Sequence, residues 1–209
     1  MEQARQWLAD ASSVAILTGA GLSAESGIPP VQAEELPTLE AFARDPKLVW
    51  EWYDRRRGLI AQAAPNAAHY ALVKLEVRVP QFTLITQNVD GLHDLAGSGK
   101  ILKLHGDIWR MRCTECGANF PNRRVPLPKL PPHCACGGLA RPAVVWLGEA
   151  LPDGIMKEAE HAVAGAEVFL VIGTSAAGLI PYAQQSGAKI IEINPELHGP
   201  AARILPQLI

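Results

Sequence analysis

Two neighbouring groups of residues near the middle of the chain are able to do chemistry. His105 sits in Leu102-Lys103-Leu104-His105-Gly106-Asp107, at the end of an apolar run and just before a glycine. Eight residues further on, Cys113-x-x-Cys116 begins, and 17 residues separate it from Cys134-x-Cys136. Paired thiolates on two turns are a ligand set for tetrahedral zinc, which takes such donors at about 2.3 Å. Gly117 and Gly137, after the second and fourth cysteines, suit the tight turns that present paired sulfurs. Four cysteines close the coordination shell, so the metal is expected to be structural and His105 is not needed as a ligand. His133, beside Cys134, is either an extra donor or a loop residue. The competing use of such cysteines, a redox dithiol, needs only one pair. His105 is then either a satisfied core histidine or a general base, a role that an imidazole titrating near neutrality suits.

A second chemical signal is Leu17-Thr18-Gly19-Ala20-Gly21-Leu22-Ser23-Ala24-Glu25. It follows an apolar run and should open a helix. Glycines there let backbone approach a ligand, and free N–H groups at a helix start favour a pyrophosphate. The spacing is not the G-x-G-x-x-G fingerprint, and a plain strand-to-helix turn is the competing reading. Two further runs end in small or polar residues, Ile172-Gly173-Thr174-Ser175 and Ile193-Asn194-Pro195-Glu196. Three such strand ends at one sheet edge would make a ligand crevice.

The elements that must hold these groups follow from periodicity. Continuous apolar runs at 14–17, 82–90, 168–175 and 189–194 read as strands buried on both faces, as in a parallel sheet. Helical patterns at 2–10, 67–76 and 154–166 lie between them. Strands alternating with helices predict an α/β, Rossmann-like doubly wound parallel sheet. Residues 35–62 read as inserted helices, and 109–141, rich in Pro, Cys, Gly and Arg, needs a staple to fold. The expected division is a Rossmann-like domain from 1–34, 63–108 and 142–209. A small module would join helices 35–62 to a zinc ribbon at 109–141.

Composition narrows the function class. Of the 209 residues 48% are hydrophobic, ample for one sizeable core. A net charge of −2, with Arg55-Arg56-Arg57 as the longest basic run, gives no electrostatic case for nucleic acid. No apolar stretch reaches the roughly 18 residues of a membrane span. The N-terminus lacks the basic start of a secretory signal. Four cysteines gathered between 113 and 136, with none elsewhere, favour a cytoplasmic metal site over a disulfide framework.

Taken in order, the strings GAGLSAESGIP, TQNVDGLH, LHGD, the cysteine pairs, RPAVVWLGE, GTS and INPE resemble the sirtuins, the NAD-dependent protein-lysine deacylases. Tyr53-x-x-Arg56, in WYDRRR, is similar to the bacterial branch related to the desuccinylase (class III) sirtuins. The resemblance implies NAD as co-substrate, one structural Zn2+ on Cys113, Cys116, Cys134 and Cys136, and acyl-lysine peptides or proteins as partners. It implies that Gly19, Ala20, Gly21 and Glu25 form the dinucleotide loop. Gln87, Asn88 and Asp90 would surround the nicotinamide and its ribose, and Gly173, Thr174, Ser175 and Asn194 would hold the adenosine half. Val144, Val145, Trp146, Leu147, Gly148 and Glu149 would pair with substrate backbone as an added strand, Leu147 standing where the family usually has Phe. Tyr53 and Arg56, three apart on one helix face, would line the acyl end of the tunnel and grip a succinyl or malonyl carboxylate. His105 matches the family's catalytic histidine. The acyl oxygen would attack C1′ of the nicotinamide ribose, nicotinamide would leave, His105 would deprotonate a ribose hydroxyl for attack on the acyl carbon, and water would complete the transfer, giving free lysine and O-acyl-ADP-ribose. Asn88 and Asp90 share that catalytic environment.

Three places depart from the family's pattern. After Pro30 the family continues with a Phe-Arg pair that shields the ribose carbon and contacts the pyrophosphate, whereas Val31-Gln32 follows here. Stretches are also missing after Ala176 and near His198. All three border the NAD cleft. Either mobile loops of a longer natural chain are left out of this sequence, or the protein is shortened and catalytically impaired. Two rival functions therefore stand beside the deacylase: an NAD or ADP-ribose binding module that has lost catalysis, and a mono-ADP-ribosyltransferase.

Overall fold

The structure is a computed structural model that describes residues 1–32, 35, 37–174, 178–194 and 198–209. Strand β1 (Ser13–Thr18) is buried along its whole length. It pairs in parallel with β2 (Gln81–Thr86) on one side and β7 (Val168–Ile172) on the other, so both its faces need cover. β3 (Ile101–Lys103) and β8 (Lys189–Ile193) complete a parallel sheet of order β3-β2-β1-β7-β8.

The two-residue period of a strand divides β1 between two cores. Val14 and Ile16 face α1 (Glu2–Asp10), α5 (Ala67–Arg78) and α9 (Ala201–Leu208), packing with Leu8, Leu72, Leu75 and Leu205. Ala15 and Leu17 face α7 (Ile155–Ala164) and α8 (Ile180–Ser186), packing with Val163, Phe169 and Ala183. The chain builds outward from β1 to β2 and β3, then returns to add β7 and β8. The direction reverses between β1 and β7, and the carboxyl ends of those two strands are where an open α/β sheet makes a crevice.

A further cluster of buried residues joins the inserted helices to an antiparallel sheet. α3 (Leu39–Arg44) starts at Thr38, whose hydroxyl accepts from Ala41 N–H, and α4 (Pro46–Ile60) starts at Asp45, whose carboxylate accepts from Leu48 N–H. Each side chain satisfies a donor left orphaned at a helix start. β4 (Gly106–Cys113), β5 (Asn119–Pro121) and β6 (Ala140–Val144) form an antiparallel sheet of order β5-β4-β6. Phe42, Val49, Trp50 and Tyr53 from the helices pack with Trp109, Met111 and Ala140 from this sheet. Trp50 donates its indole N–H to Ala140 O at 2.7 Å. Short helices α2 (Ala20–Ala24) and α6 (Leu92–Ala96) stand at the crevice. Among the described residues no helix is long and apolar enough to cross a membrane.

Candidate functional site

The crevice is built from the carboxyl ends of β1, β2, β3 and β7. The β1–α2 turn packs directly on the end of β7: Gly19 N–H donates to Ile172 O (3.1 Å) and Gly21 N–H to Gly173 O (2.9 Å). A Cβ on Gly19 would lie 2.5 Å from Thr174 Cβ, and one on Gly21 would lie 2.8 Å from Gly173 Cα. These glycines are required by the approach of two strand ends, where the sequence suggested approach to a ligand. Ala20 and Ser23, in the same turn, line the cavity. Glu25 faces away from it. Its two oxygens accept from Ala201 N–H (2.7 Å) and Ala202 N–H (2.8 Å) and cap α9.

The segment after β2 forms the floor. Asn88 donates through Nδ2 to Gly19 O (3.0 Å) and Ser23 Oγ (2.9 Å), and its backbone N–H donates to Thr86 Oγ1 (3.1 Å). Buried Asp90 accepts from Ser23 Oγ (2.6 Å) and Leu92 N–H (2.8 Å), and its carbonyl accepts from the Trp109 indole (2.6 Å). Gln87 accepts from Thr174 Oγ1 at 2.7 Å, which ties the floor to the β7 end. Asn194, at the end of β8, donates its backbone N–H to His198 Nδ1 at 3.2 Å and lies outside the central cavity. Ser175 falls outside the described residues.

His105 links β3 to β4 and is half-buried. Its Nδ1 lies 3.0 Å from Gln87 O. A carbonyl only accepts, so Nδ1 carries the proton and Nε2 holds the basic lone pair. Asp107 does not touch the ring. One oxygen pairs with Lys103 Nζ (2.8 Å) and the other accepts from Trp109 N–H (2.8 Å). Lys103 also pairs with Asp94 at 2.7 Å; burial pulls its pKa down, but these two carboxylates outweigh that and raise it.

These residues meet in one cavity of about 260 Å³. His105, Asn88, Asp90, Gln87 and Ser23 supply its polar part, and Ala20, Ile28, Ile108, Val144 and Val145 its apolar walls. A larger groove of about 650 Å³ lies at the opposite, amino ends of β1 to β3 and contains none of them. Tyr53 and Arg56 line the central cavity together. Tyr53 Oη accepts from the Trp146 indole at 2.8 Å, and burial pushes its pKa well above the usual phenol value. Arg56 donates to Pro29 O at 2.7 Å.

The stretch Val144–Glu149 divides. Val144 ends β6, and Val145 N–H donates to His105 O at 2.9 Å. Leu147 and Gly148 form a turn, with Gly148 at φ +80°, and Leu147 is 59% exposed. Trp146 and Glu149 turn inward. Glu149 is clamped by Arg141 through two 2.8 Å contacts and accepts from Trp146 N–H at 3.0 Å. Burial raises the Glu149 pKa, but the Arg141 and Trp146 hydrogen bonds hold it down to about 2. Only Val144 and Val145 of the six line the cavity. The Arg141–Glu149 clamp, eight residues apart in RPAVVWLGE, was not read from sequence. Nor was the role of Trp109, whose only sequence signal is its place two residues after Asp107.

The cysteine quartet assembles at the far end of β4. The four sulfurs lie within 4.8 Å of one another, with Cys113–Cys136 at 3.5 Å and Cys116–Cys134 at 3.8 Å. A tetrahedron with 2.3 Å zinc–sulfur bonds has edges of about 3.8 Å, whereas a disulfide needs about 2.05 Å. Backbone N–H groups of Cys116 and Glu115 pull the Cys113 thiol down to about 6. Gly138 N–H does the same for Cys136, but the crowding of the other three thiols pushes it up to about 12. One divalent cation removes that competition among four thiols for negative charge. The donor set fits a closed structural zinc site. His133 is bridged to Leu139 and bonds Pro131 O at 3.2 Å, outside the quartet.

Known proteins share this arrangement. The sequence profile of the Sir2 family matches residues 19–179. An NAD-dependent protein deacylase of Aquifex aeolicus is 52% identical over 200 residues, covering 88% of this chain and 84% of the relative. One from Thermus thermophilus is 49% identical over 216 residues, covering 94% and 84%. A deacylase of Pyrobaculum aerophilum (43% identical) aligns over 229 positions and 97% of this chain. Because this chain has 209 residues, at least 20 of those positions (229 minus 209) face gaps in it. A solved Sir2 homologue–NAD complex superimposes with TM-score 0.92 at 40% identity, covering all of this chain and 92% of that one. A Sir2 complex with 2′-O-acetyl-ADP-ribose and a deacetylated p53 peptide gives 0.87 at 29% identity, covering all of this chain and 97% of that one. The chain belongs to the Sir2 family.

Proposed function

We propose that this protein removes acyl groups from protein lysine at the expense of NAD, releasing nicotinamide and O-acyl-ADP-ribose. The observation that carries the reading is the His105 tautomer. Nδ1–H is held by Gln87 O, so among the described residues the basic Nε2 has no partner, in a cavity that Asn88 and Asp90 also line. Among the described residues Asn88 Oδ1 also makes no hydrogen bond, since Nδ2 makes both of the amide's contacts. A free acceptor and a free base in one small pocket fit a carboxamide-bearing ring and its ribose. NAD supplies the electrophilic ribose carbon and the nicotinamide leaving group. His105 takes the proton of a ribose hydroxyl, Asn88 and Asp90 hold the ribose end, the Ile28, Ile108 and Val144 walls shield the reacting carbon from bulk solvent, and one water completes the acyl transfer and frees the lysine. Gly173, Thr174, Ser175 and Asn194 are assigned to the adenosine half, and Val144–Val145 to substrate backbone.

The test is an incubation of NAD with and without an acetyl-lysine peptide, read by mass spectrometry. The deacylase reading expects nicotinamide only when peptide is present. Release without peptide would favour an ADP-ribosyltransferase, and binding without release an impaired module.

Tyr53 and Arg56 support a finer reading, a preference for dicarboxylic acyl groups. Tyr53 Oη already accepts from Trp146, whose indole only donates, so the Tyr53 proton is left to donate. Arg56 offers donors alone. A donor-only pair at the cavity wall suits a succinyl or malonyl carboxylate. We also assign residues 35–62 and 109–141 to one small module, on the strength of their shared core and the Trp50 and Arg57 contacts to Ala140 and Asn122. A cytoplasmic location rests on the four cysteines standing as free thiols suited to a metal.

A further inference from the structure

Two buried imidazoles lie beneath the floor and take no part in the chemistry above. His69 on α5 is fully buried and His93 on α6 is 2% exposed. Their rings are 4.8 Å apart, centroid to centroid, tilted by 53°. Each has one nitrogen engaged. His69 Nδ1 accepts from Asn66 N–H at 3.2 Å, and His93 Nε2 lies 2.9 Å from Thr18 Oγ1. The other nitrogens, His69 Nε2 and His93 Nδ1, are buried without a partner within the protein.

The Asn66 contact fixes the proton on His69, and the hydroxyl pair Thr18–Thr86 decides the one on His93. His69 Nδ1 accepts, so a neutral His69 carries its proton on Nε2. Thr18 Oγ1 donates to Thr86 Oγ1 at 2.9 Å, across directly paired residues of β1 and β2. With the Thr18 hydroxyl donating to Thr86, Thr18 accepts from His93, and that arrangement places the His93 proton on Nε2. The two unpartnered nitrogens are then one donor and one acceptor, on rings whose centroids lie 4.8 Å apart. Burial keeps both rings neutral at physiological pH, with Asp90 the charged group acting on His69 and Lys103 the one acting on His93.

We infer that His93 is a positioning residue for the nicotinamide-ribose end of the cleft. Its Nε2–H holds Thr18, Thr18 holds Thr86, and Thr86 Oγ1 fixes the backbone N–H of Asn88. His69 is the neighbouring buried ring, 4.8 Å away between centroids. Buried polar chains of this kind hold one geometry when every member is satisfied. The inference rests on the deacylase reading for its kinetic consequence, but its tautomer assignment stands apart from it.

Glutamine places an amide N–H close to the position of a histidine Nε2, and asparagine places it close to Nδ1. His93→Gln should therefore keep the Thr18 contact and His93→Asn should lose it. Thr18→Val removes the middle of the chain while keeping the branched shape. With saturating acetyl-peptide, His93→Asn and Thr18→Val are expected to lower kcat/KM for NAD about tenfold, mainly through KM, as loss of one hydrogen bond predicts. The KM for peptide should not move, and His93→Gln should stay within about threefold of wild type. Equal losses in His93→Gln and His93→Asn, or a wild-type Thr18→Val, would overturn the inference. Nitrogen-15 NMR of the unsubstituted protein at neutral pH provides a readout that does not depend on the variants folding. It should show His93 protonated at Nε2 and bare at Nδ1, and the opposite tautomer would overturn the inference. A protein with the expected tautomer but no peptide-dependent turnover would refute the deacylase reading instead.

Discussion

Replacing Arg56 by methionine separates recognition of the acyl group from support of the fold. The guanidinium is half-buried beside Tyr53 and makes one contact, to Pro29 O at 2.7 Å. Burial lowers its pKa, and Asp90 offsets part of that effect. If a substrate carboxylate docks on its remaining N–H groups, the variant loses a charge-assisted interaction of about 1.5–3 kcal/mol, or about 10- to 150-fold in kcat/KM. Loss of the Pro29 contact loosens the turn at the cavity mouth for every substrate, by about 1 kcal/mol or about fivefold. The assay is kcat/KM for one peptide carrying succinyl-lysine or acetyl-lysine, in wild type and Arg56→Met. The expected result is a modest fall for acetyl-peptide and a succinyl-to-acetyl ratio lowered by tenfold or more. Arg56→Lys should fall between, because it keeps the charge without the two-pronged geometry. An unchanged ratio, with both substrates losing equally, would show that Arg56 serves only the fold.

Three further outcomes follow from the buried charges and the metal ligands. His69 and His93 have folded pKa values of about 4 and about 3, against 6.5 unfolded, so the unfolded chain binds more protons and stability falls as pH drops through 6.5. Each contributes a loss of about 2 kcal/mol by pH 5, so urea unfolding at pH 7.5 and 5.0 should differ by about 2–4 kcal/mol, and a flat profile would refute the burial argument. Glu149→Gln strands the Arg141 guanidinium and should cost about 3 kcal/mol in the same assay at neutral pH; a change under about 0.5 kcal/mol would show that the clamp is dispensable. Chelating zinc should unfold the module around Cys113 and Cys136, altering Trp50 and Trp109 fluorescence, while most of the helical signal from the parallel sheet's layers persists; an unaltered spectrum after metal loss would contradict a structural role.

The parallel sheet was legible because its strands are buried on both faces, so Val14–Leu17 and Val168–Ile172 read as unbroken apolar runs bounded by glycine. β3 is three residues long and half-buried, and it was legible only as the short apolar run that ends at His105. β4 is interrupted by a register shift between Asp107 and Met111, which breaks the alternation that would have revealed it. The cysteine spacing declared the metal site, since ligand pairs are local in sequence. The positions of His105 and Asn88 were legible through motif resemblance, but their bonding was not. The His105 tautomer depends on Gln87 O, 18 residues away, and the Asn88 amide depends on Gly19 and Ser23, more than 60 residues away. Glu25 shows the limit most plainly: its motif placed it at the dinucleotide loop, yet its carboxylate caps a helix 176 residues further on.

The central claim is that His105 Nε2 is the base of an NAD-dependent deacylation. It is tested most directly by mass spectrometry of reactions containing NAD and an acyl-lysine peptide, comparing wild type with His105→Ala. Wild type should yield nicotinamide, free-lysine peptide and O-acyl-ADP-ribose in equal amounts. His105→Ala should lose about 10²–10⁴ in rate while still binding NAD and peptide. Turnover in the variant within a few-fold of wild type, or nicotinamide release from wild type without peptide, would contradict the account.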